Sequence, residues 1–151
     1  MYSLYGVENP LMDIIAHVDY GFLSRFEKQP GTMHLVEYAE VRALLKEIGS
    51  FRTTPGGSAA NTTRGIAWLG GPAGRALSES VLGAREVSPV NGAPPVFNGA
   101  IGNDATGNDF AARMEEEGVS SVLVRKGTPT GTSVILVTPD GERTMNTFLG
   151  A

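Results

Sequence analysis

The feature that most constrains the fold is the stretch from Thr53 to Gly71, which reads as the end of a strand, a glycine turn and the start of a helix. Pro55 prevents a helix from continuing on its N-terminal side, because the residue before a proline disfavours helical dihedral angles. Gly56-Gly57 permits a positive φ and close approach by another group. Ser58 is a natural N-cap, so the pattern predicts a helix that starts immediately after this residue.

The space above the first turn of this helix is a candidate ligand site. Small residues at positions 58–60 leave room where unpaired N–H groups and the positive end of the helix dipole point outward, so a hydroxyl-rich ligand fits there. Asn61 projects its amide toward the same space and can both donate and accept hydrogen bonds. The alternative is a tightly packed turn with no ligand, because such turns are far commoner than sites.

A second group of polar residues precedes this stretch. A buried strand is predicted from Tyr2 to Val7, and its end delivers Glu8 and Asn9 to a loop. Ligands often gather at such strand ends. Asp13 starts the next predicted strand and is a candidate ligand contact. The alternative is a carboxylate that caps a turn, which is the usual role of an aspartate beside a proline and near a strand boundary.

The remaining pattern divides at Gly49. Before it, the strands Asp13–Val18 and Thr32–Val36, with a short helix Phe22–Lys28 between them, predict a small accessory sheet. After it, strands and helices alternate, which predicts a main sheet with helices on its faces. The other predicted elements are a helix Glu37–Ile48 with Val41, Leu44, Leu45 and Ile48 in the core, a helix Ala59–Leu69 with Ile66 and Leu69 toward the core, a strand Val96–Ile101, a helix capped by Asp104 with Phe110, Ala111 and Met114 inward, a strand Val119–Val124, and a hairpin of Thr132–Thr138 with Glu142–Phe148.

Residues 72–95 interrupt this alternation with several prolines and glycines, and we interpret them as an insertion that forms a mobile surface excursion.

Composition predicts one globular domain and excludes several classes of function. The 151 residues are 41% hydrophobic and 19% charged. No apolar run approaches the roughly 20 residues that a membrane span needs, and the N-terminus lacks signal-peptide regions, so a cytoplasmic location is expected. The net charge of −4 and the lack of a basic cluster argue against nucleic-acid binding. The chain has no cysteine, and His17 and His34 are isolated, so no metal site is predicted.

Several motifs in a fixed order carry a resemblance to a known family. They are the runs Glu8–Asp13, Gly56–Thr62, Phe97–Gly107, Thr130–Ser133 and Asp140–Thr144. Together they resemble the ribokinase (PfkB) family of sugar and nucleoside kinases. The Asn-Pro-Leu-x-Asp run and the Val-Asp that follows it are most similar to the adenosine kinase branch. The resemblance covers nearly the whole chain.

The resemblance implies an α/β, ribokinase-like fold: a partial Rossmann-like sheet flanked by helices, with a small β lid from residues 13–36 over the substrate. In the family, the aspartate at the position of Asp13 accepts hydrogen bonds from sugar hydroxyls. The partners it implies are a small-molecule nucleoside or sugar and a homodimer formed through the lid, with no nucleic acid and no membrane. The implied substrate-binding residues are Asn9, Asp13, Gly56, Gly57, Ser58, Asn61 and Arg143.

The catalytic machinery that the resemblance implies is missing from the sequence. Phosphoryl transfer needs a phosphate cradle, a magnesium ion and a base, and the family places these at a Gly-Ala-Gly-Asp turn in its C-terminal half. No such turn occurs here, and neither does a Walker motif. We therefore expect no catalytic residue in this chain, with ATP and Mg²⁺ bound mainly outside it.

The expected function is ATP-dependent phosphorylation of a sugar hydroxyl, with this chain as the substrate-binding half. The substrate is an adenosine-like nucleoside or a free sugar, as in fructokinases and ribokinases. The alternative is a non-catalytic fragment that binds a sugar or a nucleoside.

Overall fold

The computed structural model describes residues 2–71, 74, 76, 80 and 93–151, so most of the predicted insertion 72–95 lies outside the described residues. The strands and helices with defined bounds are β1 (Tyr5–Val7), β2 (Leu11–His17), α1 (Tyr20–Arg25), β3 (Met33–Leu35), α2 (Tyr38–Glu47), β4 (Arg52–Gly56), α3 (Ser58–Gly70), β5 (Val96–Gly102), α4 (Ala105–Glu116), β6 (Ser120–Lys126), β7 (Gly131–Val137) and β8 (Arg143–Phe148). No helix within the described residues is both long enough and apolar enough to span a bilayer.

A three-stranded parallel sheet in the order β1-β5-β6 forms the first layer. Helices α3 and α4 pack on one of its faces, around the buried side chains of Phe97, Ile101, Phe110 and Met114. The rings of Phe97 and Phe110 lie 5.8 Å apart. These residues are the apolar positions of β5 and α4, and the parallel sheet with flanking helices confirms the predicted α/β class.

A second, five-stranded sheet in the order β3-β8-β7-β2-β4, here called the lid sheet, mixes parallel and antiparallel pairs. It is larger than the sequence suggested, because residues 13–36 provide only β3 and most of β2. Strand β4 and the hairpin of β7 and β8 provide the rest. Every residue of β7 except Val137 is buried, so this strand needs neighbours on both sides and lies at the centre of the sheet.

The two faces of the lid sheet differ. Helices α1 and α2 pack against one face, where Ala16, Val134 and Leu136 meet Phe22, Leu23, Val41, Leu44 and Ile48.

The other face, here called the open face, carries one continuous row of paired residues, which we call the Asp13 row. Strand register places Thr54 and Ser133 beside Asp13, Thr147 beside Ser133, and Leu35 beside Thr147. Directly paired residues point to the same face of a sheet, so this row forms a single surface.

The predicted core positions hold for α2 and α4 but not for α3. Val41, Leu44 and Ile48 are buried, as are Phe110 and Met114. In α3 the prediction for Leu69 is wrong, because its side chain is 41% exposed. The buried residues of α3 are the small ones, Ala60 and Thr63. Thr63 and the neighbouring Ala59 face Gly6 of β1, whose missing Cβ lets the helix approach the sheet closely.

The face of the three-stranded sheet opposite α3 and α4 is apolar and exposed. Tyr5, Val7, Val122 and Val124 are 59%, 66%, 53% and 57% exposed. They occupy the alternate positions of β1 and β6 that point away from Gly6 and Phe97. Parallel sheets are usually covered on both faces, so this surface is prone to self-association.

We predict that this 151-residue chain self-associates through that face. Replacing both Val122 and Val124 with threonine should weaken the association, because polar groups replace exposed methyl groups. The matched control replaces Met33 and Leu35, which are exposed on the lid sheet, with threonine. Sedimentation velocity over a concentration series measures both variants. A stronger effect of the control would place the contact on the lid, and a monomeric unmodified chain would contradict self-association.

Candidate functional site

Asp13 is a half-buried carboxylate that receives no hydrogen bond from the described residues. It is the third residue of β2 and lies on the open face. A Cβ at position 56 would overlap its carboxyl group, so the glycine there provides the space that the carboxylate occupies. Asp13 caps no turn, because it lies inside a strand. Burial raises the pKa of Asp13 above its ordinary value, and the charge of Arg64 opposes this increase. Asp13 therefore has all of its acceptor capacity available for a ligand.

A different carboxylate, that of Glu8, occupies the start of helix α3. Its oxygens accept hydrogen bonds from the Ser58 N–H (2.9 Å), the Ser58 hydroxyl (2.7 Å) and the Ala59 N–H (2.8 Å). The predicted N-cap role of Ser58 is wrong: the N-cap is Gly57, whose φ is +95°, and Ser58 is the first helical residue. A negative charge is favourable at a helix N-terminus. Glu8 therefore binds the N–H groups at the start of α3 that we predicted to be available to a ligand.

The loop between β1 and β2 is tied to two other parts of the chain. The side chain of Asn9 donates to the Leu149 carbonyl at 2.6 Å, and the Glu8 N–H donates to the Asn98 carbonyl at 3.2 Å. Gly99 is required here, because a Cβ would overlap Pro10 and the Glu8 carbonyl. Asn9 thus orients the loop that leads to Asp13.

Asn61 lies beside the same glycine turn, and Arg64 contacts it. The Asn61 N–H donates to the Gly57 carbonyl at 3.0 Å, and the side-chain Oδ1 accepts from Arg64 Nη1 at 3.0 Å. Arg64 also donates to the Pro55 carbonyl at 2.7 Å and forms a two-pronged ion pair with Glu117 of 2.5 and 2.8 Å. The sequence analysis missed Arg64. The available signal was its position three residues after Asn61, which places the two side chains on one helical face.

Arg143 is the predicted site residue that the structure leaves apart. It is exposed at the start of β8, beside Val137, whereas Thr147 of the Asp13 row lies four residues further along the strand. At about 3.3 Å per residue, Arg143 is about 13 Å from that row. The structure therefore brings together Asp13, Gly56, Gly57 and Asn61, but not Arg143. Asn9 is bound to the Leu149 carbonyl and Ser58 to Glu8.

A third carboxylate, that of Asp104, connects the segment between β6 and β7 to the start of α4. It caps α4 through the Gly107 N–H at 2.8 Å and accepts from the N–H and hydroxyl of Thr130 at 2.9 and 2.7 Å. Burial alone raises the pKa of Asp104, but the hydrogen bonds from Thr130 and Gly107 outweigh it and hold the pKa below its ordinary value. The predicted capping role is confirmed, and the contact with Thr130 is new.

Glu8→Ala should destabilise the protein by about 1 to 2 kcal/mol, because the first N–H groups of α3 lose their acceptor. Glu8→Gln should lose less, since its amide oxygen still accepts. Urea unfolding followed by circular dichroism measures both variants. Equal stability of the alanine variant and the unmodified chain would show that the cap contributes nothing.

Asp13→Asn should raise the stability at neutral pH. A raised folded-state pKa means that the stability contributed by Asp13 is complete below its unfolded pKa of about 3.9 and is lost as pH rises through the folded value. The gain from asparagine should therefore grow as pH rises above about 4. Thermal unfolding between pH 4 and 8 measures this trend.

Asp104→Asn is the matched control for this experiment. Its lowered pKa contributes stability above its unfolded value, which is lost as pH falls through the folded one, so this variant should be less stable than the unmodified chain at neutral pH. If Asp13→Asn also lost stability at neutral pH, the carboxylate of Asp13 would have a structural role.

Comparison with known proteins gives consistent results. A curated adenosine kinase from Dictyostelium discoideum is 27% identical over 150 residues, which are 95% of this chain and 37% of that protein. The solved adenosine kinase of Sinorhizobium meliloti is 31% identical with a TM-score of 0.75, over 99% of this chain and 40% of the other. A solved probable sugar kinase from Rhizobium etli CFN 42 is 30% identical with a TM-score of 0.76, over 99% and 39%.

This chain therefore spans about two fifths of the length of the relatives it matches. The pfkB family of carbohydrate kinases matches residues 31–151, which is most of the chain. The similarity over the whole chain to a solved adenosine kinase confirms the ribokinase-like α/β fold. The chain belongs to the pfkB family of carbohydrate kinases.

Proposed function

We propose that this chain provides the substrate-binding part of a kinase that transfers a phosphoryl group from ATP to a hydroxyl of an adenosine-like nucleoside. The observation that carries the proposal is the half-buried Asp13 carboxylate, which accepts no hydrogen bond from the described residues. Such a group is costly to bury unless a ligand provides donors. Sugar hydroxyls are suitable donors, and Asn61 lies beside the same turn.

The Asp13 row favours a nucleoside over a free sugar. It runs from the carboxylate through Ser133 and Thr147, whose hydroxyls bond each other at 2.9 Å, to the exposed side chain of Leu35. Three strand spacings of about 4.8 Å separate Asp13 from Leu35, or about 14 Å. A ribose near Asp13 leaves space for a base over the apolar end. Leu11 precedes Asp13 by two residues on the same face of β2, is half-buried, and offers further apolar surface.

A free sugar is the second candidate substrate. The polar groups that recognise sugar hydroxyls are the same in both cases, and the similarity to the Rhizobium etli sugar kinase is nearly the same as that to the Sinorhizobium meliloti adenosine kinase. A binding fragment without catalytic activity is the third candidate, because this chain covers only part of its relatives.

The described residues do not fit ATP or magnesium. No group of three histidine, aspartate or glutamate side chains among them could hold a metal ion. Carboxylates occupy the N-terminus of α3, through Glu8, and that of α4, through Asp104, so neither helix start can accept a phosphate. The proposal therefore assigns ATP and Mg²⁺ mainly to polypeptide outside this chain, and the nucleoside to the open face.

Calorimetry with adenosine, inosine, ribose and fructose tests the choice of ligand. We expect adenosine to bind most tightly. Asp13→Ala should weaken its binding about ten- to a hundredfold, because each hydrogen bond to a charged group contributes roughly 1.5 to 3 kcal/mol. Arg143→Ala is the control and should bind as the unmodified chain does. Tighter binding of ribose or fructose would replace the nucleoside with a sugar, and phosphoryl transfer from ATP by the chain alone would contradict the assignment of catalysis to other polypeptide.

A further inference from the structure

Arg64 makes the densest set of hydrogen bonds around the glycine turn. Its side chain is 20% exposed and its guanidinium contacts three different elements. Nε and Nη2 donate to both oxygens of Glu117, the C-cap residue that follows α4, at 2.5 and 2.8 Å. Nη1 donates to the Pro55 carbonyl at the end of β4 at 2.7 Å. A two-pronged pair of this kind fixes the plane of the guanidinium as well as its position.

The contact with Asn61 determines which end of that amide remains available. A guanidinium only donates hydrogen bonds, so the amide atom 3.0 Å from Nη1 is the oxygen. The amide NH₂ group then points away from Arg64, and no described residue accepts a hydrogen bond from it. Asn61 therefore has its NH₂ group available to donate to a ligand, whereas the ionised carboxylate of Asp13 only accepts.

Arg64 also places a positive charge close to Asp13. Its Nη2 lies 3.5 Å from the hydroxyl of Thr54, the β4 residue paired with Asp13. The other charged or titratable groups around Asp13 are Glu8 on the neighbouring glycine, Arg52 two residues along β4 and His17 four residues along β2. Among these groups, the charge of Arg64 lowers the pKa of Asp13, against the larger effect of burial.

We propose that Arg64 is the positioning residue of the ligand site: it directs the Asn61 NH₂ group toward the ligand and holds its positive charge beside Thr54, the residue paired with Asp13. Together Asn61 and Asp13 present one donor and one charged acceptor, which match two neighbouring hydroxyls of a sugar ring. The identity of the ligand rests on the proposed function, whereas the arrangement of the three side chains does not.

The test compares Arg64→Met and Arg64→Lys with a control, Arg113→Met. Arg113 also connects a helix to β4, through the Thr53 hydroxyl at 3.1 Å and carbonyl at 3.3 Å, but it does not contact Asn61. Carbon-13 NMR of the Asp13 carboxyl group gives its titration midpoint without any ligand. Calorimetry with adenosine as a function of pH gives the affinity of each variant.

Arg64→Met should raise the titration midpoint of Asp13 and move the loss of adenosine binding at low pH upward by the same amount. Arg64→Lys keeps the positive charge but loses the planar guanidinium. The titration midpoint of Asp13 should therefore stay near that of the unmodified chain. The affinity for adenosine should fall about two- to tenfold, because the Asn61 amide is no longer held in one orientation. Arg113→Met should lower stability and leave the midpoint and the affinity unchanged.

The failures are separable. If adenosine binds but Arg64→Met leaves the midpoint unchanged, or if Arg113→Met moves it equally, the role of Arg64 is refuted and the proposed function stands. If adenosine does not bind the unmodified chain but the midpoint moves in Arg64→Met alone, the arrangement stands and the assigned ligand is wrong.

Discussion

Two carboxylates packed against two consecutive glycines are the constraint on which the rest of the site depends. Asp13 lies over Gly56 and Glu8 over Gly57, and any side chain at either glycine would overlap a carboxyl group. The two acids are in opposite situations. Glu8 is surrounded by donors from the start of α3, so it stabilises the helix, whereas Asp13 has no donor among the described residues and remains available for a ligand.

This pair lies where the chain passes between its two sheets. The loop after β1 leads from the three-stranded sheet to the lid sheet, and the Gly57 turn leads back from β4 to α3. The segment between β6 and β7 also crosses, and Asp104 fastens it to the start of α4 through Thr130. Asn9 secures the loop to Leu149 after β8. In the proposed site, a ligand between Asp13 of the lid sheet and Asn61 of α3 would contact both layers, so its geometry would depend on how these crossings hold the layers together.

The sequence by itself determined the elements and most of their buried faces. Helical spacing of Val41, Leu44 and Ile48 and the apolar β5 and α4 residues identified both cores, since burial imposes these periods directly on the sequence. Gly56 and Gly57 indicated close approach by another group, and the carboxylates of Asp13 and Glu8 lie there. The motif resemblance led to the correct family.

Only the tertiary structure decided how these pieces meet. Strand pairing placed Arg143 about 13 Å from the row that contains Asp13, because the hairpin runs along the lid sheet and its turn lies at the far end. The packing of the two layers brought Glu8 to the start of α3, 50 residues away in the chain, and Ser58 is the first helical residue instead of the N-cap. The packing of α3 beside α4 also brought Glu117, which follows α4, to Arg64. Contacts between residues so distant in the chain leave no local pattern, because they depend on how the layers pack and not on the spacing within any one segment.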